Sequence, residues 1–241
     1  MKTIAFIPAR YAASRFPGKL MKTIGGKTII RMVYENALQT GLFDDVVVVT
    51  DSEIIYNEIS IHGGLVKMSV AEHNSGSDRI TEVAANMDVD VVVNIQGDEP
   101  FIEKEPLELL VASFKDNIVR VASLMKKISD EDEINNPNVV KVVCNNKNEA
   151  LYFSRSVIPF FRNTSSNIPI YKHIGVYAFR KDALLQFTKW NIGKLESTEM
   201  LEQLRYLENG VQIKMVETET TSIGIDTPDD LELARKIYKE K

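Results

Sequence analysis

Three short, continuous apolar runs limit what this chain can fold into. They are residues 4–7 (Ile-Ala-Phe-Ile), 45–51 (Asp-Val-Val-Val-Val-Thr-Asp) and 90–95 (Asp-Val-Val-Val-Asn-Ile). A strand with one wet face alternates polar and apolar residues. An unbroken β-branched run suits a strand covered on both faces, as in a parallel sheet packed between helices. Helical patterns fall between the runs. Gly25-Gly26-Lys27-Thr28 turns into an amphipathic stretch with Ile29, Ile30, Val33 and Ala37 on one side. A second helix is expected over 53–61, closed by Gly63-Gly64, and a third begins near Ser77, with a short strand at 65–68 between them. This alternation through Phe114 predicts a doubly wound, parallel half.

Beyond Val119 the texture changes. Residues 119–125, 139–144 and 150–153 read as strands joined by polar loops, with an exposed loop at 163–169. A helix is expected from about 197 to 209, then a strand at 211–216. A last helix opens with Thr227 as N-cap, Pro228 at the first helical position and acids in the first turn. The expected organisation is one domain over 1–241 with an α+β region at about 119–190. That region is open to a share of the substrate pocket or an oligomer interface.

Composition narrows the function. With 44% hydrophobic and 26% charged residues, the 241-residue chain has the make-up of a soluble globular protein. A single cysteine, Cys144, excludes an internal disulfide and suits the cytosol. The N-terminal apolar run breaks at Pro8, too early for a secretory signal, and no stretch reaches membrane-spanning length. A cytoplasmic location is expected. The formal charge is −5, yet residues 1–34 carry Lys2, Arg10, Arg15, Lys19, Lys22, Lys27 and Arg31 with no acid, so all 34 acids lie beyond them. A local basic excess on an acidic protein suits a small anion better than a nucleic acid.

That excess follows the first strand. Ligands in open α/β sheets bind outside the carboxyl ends of strands, and residues 8–20 combine small residues with Arg10, Arg15 and Lys19. Such a loop matches a polyphosphate. It is not a P-loop: Gly26-Lys27-Thr28 lacks the required glycine at Met21. Asn94-Ile95-Gln96-Gly97-Asp98-Glu99-Pro100 leaves another strand on the same edge, and Gly224-Ile225-Asp226-Thr227 sits between an apolar stretch and a helix start. Asp98 and Asp226 are therefore candidate carboxylates for a hard cation such as Mg²⁺, or else helix caps. His73-Asn74-Ser75-Gly76-Ser77-Asp78-Arg79 either reads a nucleobase or is a cap at Ser77, with Arg79 paired to Asp78 or Glu82. Ser154-Arg155, His173 to Tyr177, and Leu201-Glu202-Gln203-Leu204-Arg205 offer the donors and acceptors a sugar needs. His62, His73 and His173 have no metal-ligand spacing.

Eight stretches in order, spanning most of the chain, resemble the 3-deoxy-manno-octulosonate (KDO) cytidylyltransferases. They are 7–19, 73–79, 94–100, 136–143 (Asn-Pro-Asn-Val-Val-Lys-Val-Val), 152–155 (Tyr-Phe-Ser-Arg), 173–177, 201–205 and 224–227. Sialic-acid cytidylyltransferases also use a basic loop, but with a Gly-Ser-Lys-Gly character missing here. The resemblance implies the Rossmann-like nucleotide-diphospho-sugar transferase fold, an α/β mixed, mostly parallel sheet flanked by helices, and a homodimer built through the middle region. It implies transfer of CMP from CTP to KDO with release of pyrophosphate, activating KDO for lipopolysaccharide synthesis. It also implies Ala9, Arg10, Arg15, Lys19, Ser75, Gly76, Arg79 and Gln96 around the nucleotide. Gln96, Arg155, His173, Tyr177, Glu202 and Gln203 would then surround the sugar acid, with Asp98 and Asp226 on Mg²⁺. Arg15, Lys19, Asp98 and Asp226 carry the implied chemistry. The chain departs from the family pattern at Ala13, where serine is usual, and at Leu20, where proline often follows the lysine.

Overall fold

The structure is a computed structural model that describes residues 1–12, 16–71, 73, 75–162, 168–220 and 224–240. Its contacts divide the chain into two compact units, Met1–Leu107 with Ser222–Lys241, and Glu108–Thr221. The second unit reaches beyond both ends of the expected 119–190 region.

The first unit opens with β1 (Thr3–Ala9), buried almost throughout. A one-turn 3-10 segment at Lys19–Met21 leads into a hairpin of β2 (Thr23–Ile24) and β3 (Lys27–Thr28). Gly25 and Gly26 form its turn with φ of 57° and 83°, the left-handed conformations a two-residue hairpin needs. Thr28 then caps α1 (Ile29–Gln39), its hydroxyl accepting from Arg31 N at 3.3 Å. The unit continues through β4 (Asp45–Thr50), α2 (Glu53–Ile61), β5 (Val66–Met68), α3 (Gly76–Ala84) and β6 (Val91–Asn94), and α4 (Lys104–Ala112) runs across the boundary between the units. The strands lie in the order β6-β1-β4-β5, all parallel. This is the doubly wound half expected from the valine runs.

Pro8 does not end β1; the strand runs on to Ala9, with Pro8 opposite Val49. In a strand, successive residues direct their backbone groups to opposite neighbours. Phe6 O accepts from Ile95 N, so Pro8 turns the same way, toward β6. The β6 pairing stops at Phe6–Asn94, so the missing N–H of Pro8 forfeits no ladder bond.

The second unit contains β7 (Val121–Ile128), α5 (Glu131–Asn135), β8 (Lys141–Cys144), β9 (Ala150–Ser154) and β10 (Ile170–Arg180). It ends with α6 (Lys181–Phe187), α7 (Lys194–Glu199), α8 (Leu204–Glu208) and β11 (Ile213–Glu217). β7 pairs parallel with β11 and antiparallel with β10; β8 pairs antiparallel with β10 and β9. Antiparallel neighbours suit the short polar connections read from the sequence. The expected loop at 163–169 falls mostly outside the described residues.

The helix expected over 197–209 is two helices. Met200 takes φ 54°, a left-handed conformation that ends α7, and residues 201–203 form a turn before α8. Across this break the Glu196 carboxylate accepts two bonds from Arg205, Nε at 2.6 Å and a shorter one from Nη2, and the guanidinium lies 4.1 Å from the Phe187 ring centroid. A buried, bidentate and stacked pair holds the turn where helix continuation would have torn it apart. The chain returns to the first unit in α9 (Pro228–Glu240). Thr227 Oγ1 accepts from Asp230 N at 3.2 Å, while Asp230 Oδ2 accepts from Thr227 N at 2.8 Å, a reciprocal cap.

Candidate active site

In the first unit the loops leaving β1 and β6 meet the start of α9. Two glycines allow the approach. A Cβ on Gly97 would lie 3.0 Å from Pro8 O and 3.3 Å from Ile30 Cδ1; one on Gly76 would lie 3.1 Å from Pro8 Cγ. The end of β1 is thus pressed by the segments around Gly76 and Gly97, where a Cβ would fit only if its neighbour gave way by a few tenths of an ångström. Gly76 was expected at the site from the sequence; Gly97 was not singled out, although it lies in a quoted motif.

Lys19 is the pivot of this corner. Its Nζ donates to Asp98 Oδ2 at 2.5 Å and to Asp226 Oδ1 at 2.8 Å. Backbone fixes the two acidic segments together, Ile225 N donating to Asp98 O at 3.0 Å. Burial disfavours the Lys19 ammonium, but the two carboxylates outweigh it and raise the pKa above the ordinary lysine value. The side-chain contact shared by the two acids is the Lys19 ammonium. Asp98 lies well before α4, and the α9 cap is Thr227 with Asp230.

The donor set fits a hard divalent cation. Two carboxylates converge on one point, which an ammonium fills, and oxygen donors of this kind suit Mg²⁺. Among the described residues no group of three or more His, Cys, Asp or Glu is placed to hold an ion. Two protein oxygens would leave the other positions to substrate oxygens and water.

Arg10 leaves β1 exposed, its Nη2 donating to His73 O at 3.0 Å. Gly18, at φ 66°, closes the basic loop by donating its N–H to Tyr11 O. Arg15 lies outside the described residues. Ala9 is buried at the strand end and Gln96 is half-buried.

The 73–79 loop has a different logic from the one expected. Ser75, not Ser77, caps α3, accepting from Asp78 N at 3.1 Å. Arg79 is 1% exposed. It pairs with neither Asp78 nor Glu82; its Nη2 meets Asp51 Oδ2 at 2.6 Å and its Nη1 donates to Ser69 Oγ. Glu82 instead gathers the preceding loop, accepting from Val70 N at 2.8 Å, Ala71 N at 3.3 Å and His73 Nε2 at 2.6 Å. The Val70 amide leads the contacts that hold the Glu82 carboxyl below its ordinary pKa. Asp51 and Ser69 carried no local signal, because they face Arg79 from separate strand ends.

In the second unit the sugar candidates fall in two groups. Arg155 Nε donates to Glu199 O at 2.8 Å and Nη1 to Pro137 O at 3.1 Å, while Glu199 accepts from Ser154 Oγ at 2.6 Å and Arg155 N at 2.9 Å. The guanidinium is held by backbone carbonyls, and the Glu199 carboxylate nearby feels its charge, which contributes to lowering the Glu199 pKa. His173 lies against Phe153 and Tyr177, with both ring centroids 5.2 Å away. Tyr177 is buried, and desolvation followed by the nearby Glu202 carboxylate raises its pKa well above the phenol value. Glu202 and Gln203 occupy the turn between α7 and α8 rather than a helix border. Gln203 is 4% exposed, and its Nε2 has no hydrogen-bond partner among the described residues. A buried, unsatisfied amide is costly unless a ligand meets it.

Comparison with known proteins identifies the family. The model of the family described as Cytidylyltransferase matches residues 4–214. A 3-deoxy-manno-octulosonate cytidylyltransferase of Flavobacterium johnsoniae is 58% identical over 243 aligned positions, covering 100% of both chains. Another, of Christiangramia forsetii, is 54% identical and covers 98% of this chain and 96% of its own. Among solved structures, a CMP:2-keto-3-deoxy-manno-octonic acid synthetase complexed with CTP superposes with a TM-score of 0.95 at 38% identity, covering 100% of this chain and 99% of that one. A 4-diphosphocytidyl-2C-methyl-D-erythritol synthase of Anaerococcus prevotii, 17% identical with a TM-score of 0.68, shares the fold. The fold expectation is borne out, and the chain belongs to the 3-deoxy-manno-octulosonate cytidylyltransferase family.

Proposed function

We propose that this protein transfers CMP from CTP to the anomeric hydroxyl of 3-deoxy-D-manno-octulosonate, giving CMP-KDO and pyrophosphate, and so activates KDO for lipopolysaccharide synthesis. The observation that carries the reading is the convergence of Asp98 and Asp226 on Lys19 at the edge where the basic loop leaves β1. Binding alone has no need of two carboxylates beside a polyphosphate site. Full-length identity to named KDO cytidylyltransferases supports the same substrates.

In this reading the sugar hydroxyl attacks the α-phosphorus in line and pyrophosphate leaves. Arg10, Arg15 and Lys19 hold the triphosphate. Lys19, whose proton is secured by its carboxylate neighbours, offsets charge on the departing pyrophosphate together with Arg15. Asp98 and Asp226 would hold Mg²⁺ in place of the ammonium that lies between them, and the ion would lower the pKa of the attacking hydroxyl and neutralise phosphate charge. Ser75 and Gly76, at the start of α3, meet the cytidine, and the buried Arg79 braces that loop through Asp51 and Ser69. The charged Arg155 takes the carboxylate of the sugar acid, and Gln96, His173, Tyr177, Glu202 and Gln203 take its hydroxyls. We place the protein in the cytoplasm as a homodimer joined through its middle region.

Pyrophosphate release with CTP and Mg²⁺ tests the proposal, run in parallel with KDO, 8-amino-KDO, sialic acid and no sugar. Release with KDO or its amino analogue alone is the expected result. Release with sialic acid alone, or no release from folded protein that binds CTP, would overturn it.

A further inference from the structure

Ser123 is fully buried in β7, opposite Tyr177 of β10. The β7–β10 register slips between Ile174 and Tyr177, and this irregularity turns two carbonyls onto one hydroxyl. Ser123 Oγ lies 2.9 Å from Val176 O, 3.2 Å from Ile174 O and 2.9 Å from His173 Nε2. A serine hydroxyl has one proton, and a carbonyl can only accept. A hydroxyl that gives its one proton to either carbonyl faces the imidazole with lone pairs and accepts from Nε2–H. The second ring nitrogen, Nδ1, then carries a lone pair, and it has no hydrogen-bond partner among the described residues.

We infer that Ser123 is a positioning residue that locks His173 in its Nε2–H tautomer, so that Nδ1 accepts a hydrogen bond from a hydroxyl of the sugar acid. The inference rests on His173 belonging to the sugar site of the proposed function. It also divides the substrate between its neighbours: a lone-pair acceptor repels a carboxylate and takes a hydroxyl, leaving the carboxylate to Arg155. Desolvation supports the assignment, since it pushes the His173 pKa down to about 3 and keeps the ring neutral. Phe153 and Tyr177 flank the ring and limit its rotation.

The test is a two-bond ¹H–¹⁵N correlation spectrum of histidine-labelled protein at neutral pH, with the His173 signals assigned by their loss in His173→Gln. The expected spectrum has a protonated Nε2 and a bare Nδ1, and adding KDO without CTP shifts Nδ1 in the direction of an accepted hydrogen bond. Ser123→Ala should mix the tautomers and raise KM for KDO about tenfold, the scale of one hydrogen bond, with KM for CTP unchanged. Ser123→Thr, which keeps the hydroxyl, should restore the wild-type pattern. A protonated Nδ1 in the wild type, an Nδ1 indifferent to KDO, or an unchanged tautomer in Ser123→Ala would each overturn the inference. If Ser123→Ala does not fold, the wild-type spectrum and the KDO titration decide. A bare Nδ1 with no turnover on KDO would overturn the substrate reading and the hydroxyl contact while upholding the hold of Ser123 on the ring.

Discussion

Asp98→Asn removes one charge and keeps the shape of the side chain, and the structure separates its two costs. The stability cost is modest. Lys19 retains Asp226 at 2.8 Å, so the ammonium keeps a partner, and the Asp98 side chain is 27% exposed. Breaking a fully buried pair costs about 3–5 kcal/mol, whereas exposed pairs contribute up to about 1 kcal/mol. A partly solvated pair with one surviving carboxylate falls between, at about 1–2 kcal/mol. For a chain of this size that lowers Tm by roughly 2–8 °C. The catalytic cost is larger. Losing one fixed electrostatic group at a site of developing charge lowers kcat by about 10²–10³, or about 2.7–4 kcal/mol of barrier. Pyrophosphate release at saturating CTP, KDO and Mg²⁺ measures the second cost, and a thermal melt measures the first. A variant that melts in the expected range and turns over within about threefold of wild type would refute the assignment of Asp98 to the chemistry.

Other outcomes follow from the same geometry. Gly97→Ala places a Cβ 3.0 Å from Pro8 O and 3.3 Å from Ile30 Cδ1, so a stability loss of about 1–3 kcal/mol is expected, with a fall in kcat from displacement of Asp98; an unchanged denaturation midpoint would count against the packing argument. Glu196→Gln removes the buried bidentate carboxylate from Arg205 and should cost up to about 3 kcal/mol while raising KM for KDO more than KM for CTP, because the turn bearing Glu202 and Gln203 loosens; equal effects on both KM values would contradict this. His173 takes up its proton only near pH 3 when folded, against 6.5 for the free side chain, so the unfolded chain binds more protons between those values. Its contribution to stability is complete above about pH 6.5 and is lost as pH falls toward 3, with a slope of at most about 1.4 kcal/mol per unit. Urea melts across that window should show a flatter limb in His173→Gln, and identical limbs would refute the assignment. Chelation of divalent ions should abolish turnover and Mg²⁺ should restore it; turnover that survives chelation would contradict the role given to Asp98 and Asp226.

The elements that were legible are those whose cause is local. Buried valine runs specify strands covered on both faces, and α2 matches the expected 53–61 to the residue because its apolar spacing lies within the segment and its closing glycines follow just beyond it. The α9 cap was legible for the same reason, since Thr227, Pro228 and Asp230 act within one turn. The break at Met200 was not. Nothing in Glu-Ser-Thr-Glu-Met announces a left-handed residue, and no glycine marks it. The break exists because Glu196 and Arg205, nine positions apart, meet on the ring of Phe187, and tertiary packing overrides helix propensity.

Site residues divide along the same line. Arg79 illustrates it: helix spacing nominated Asp78 and Glu82, the neighbours that local geometry can supply, yet its partner is Asp51. The reason lies in strand order. With β6, β1 and β4 parallel and adjacent, Phe6 stands opposite Asn94 and Ala9 opposite Thr50, so the residues that follow each strand emerge along one edge. Arg10, Asp51 and Gln96 are each within a residue or two of those strand ends. Once the order is known, these meetings follow from register alone. Before it is known, any strand end can adjoin any other, and the sequence can rank residue types by charge but cannot pair them. The carboxylates on Lys19 were foreseeable as a group, because both leave apolar segments at helix-proximal loops. That the same lysine would sit between them depends on Gly97 letting the β6 loop close onto Pro8, a contact made of a missing side chain.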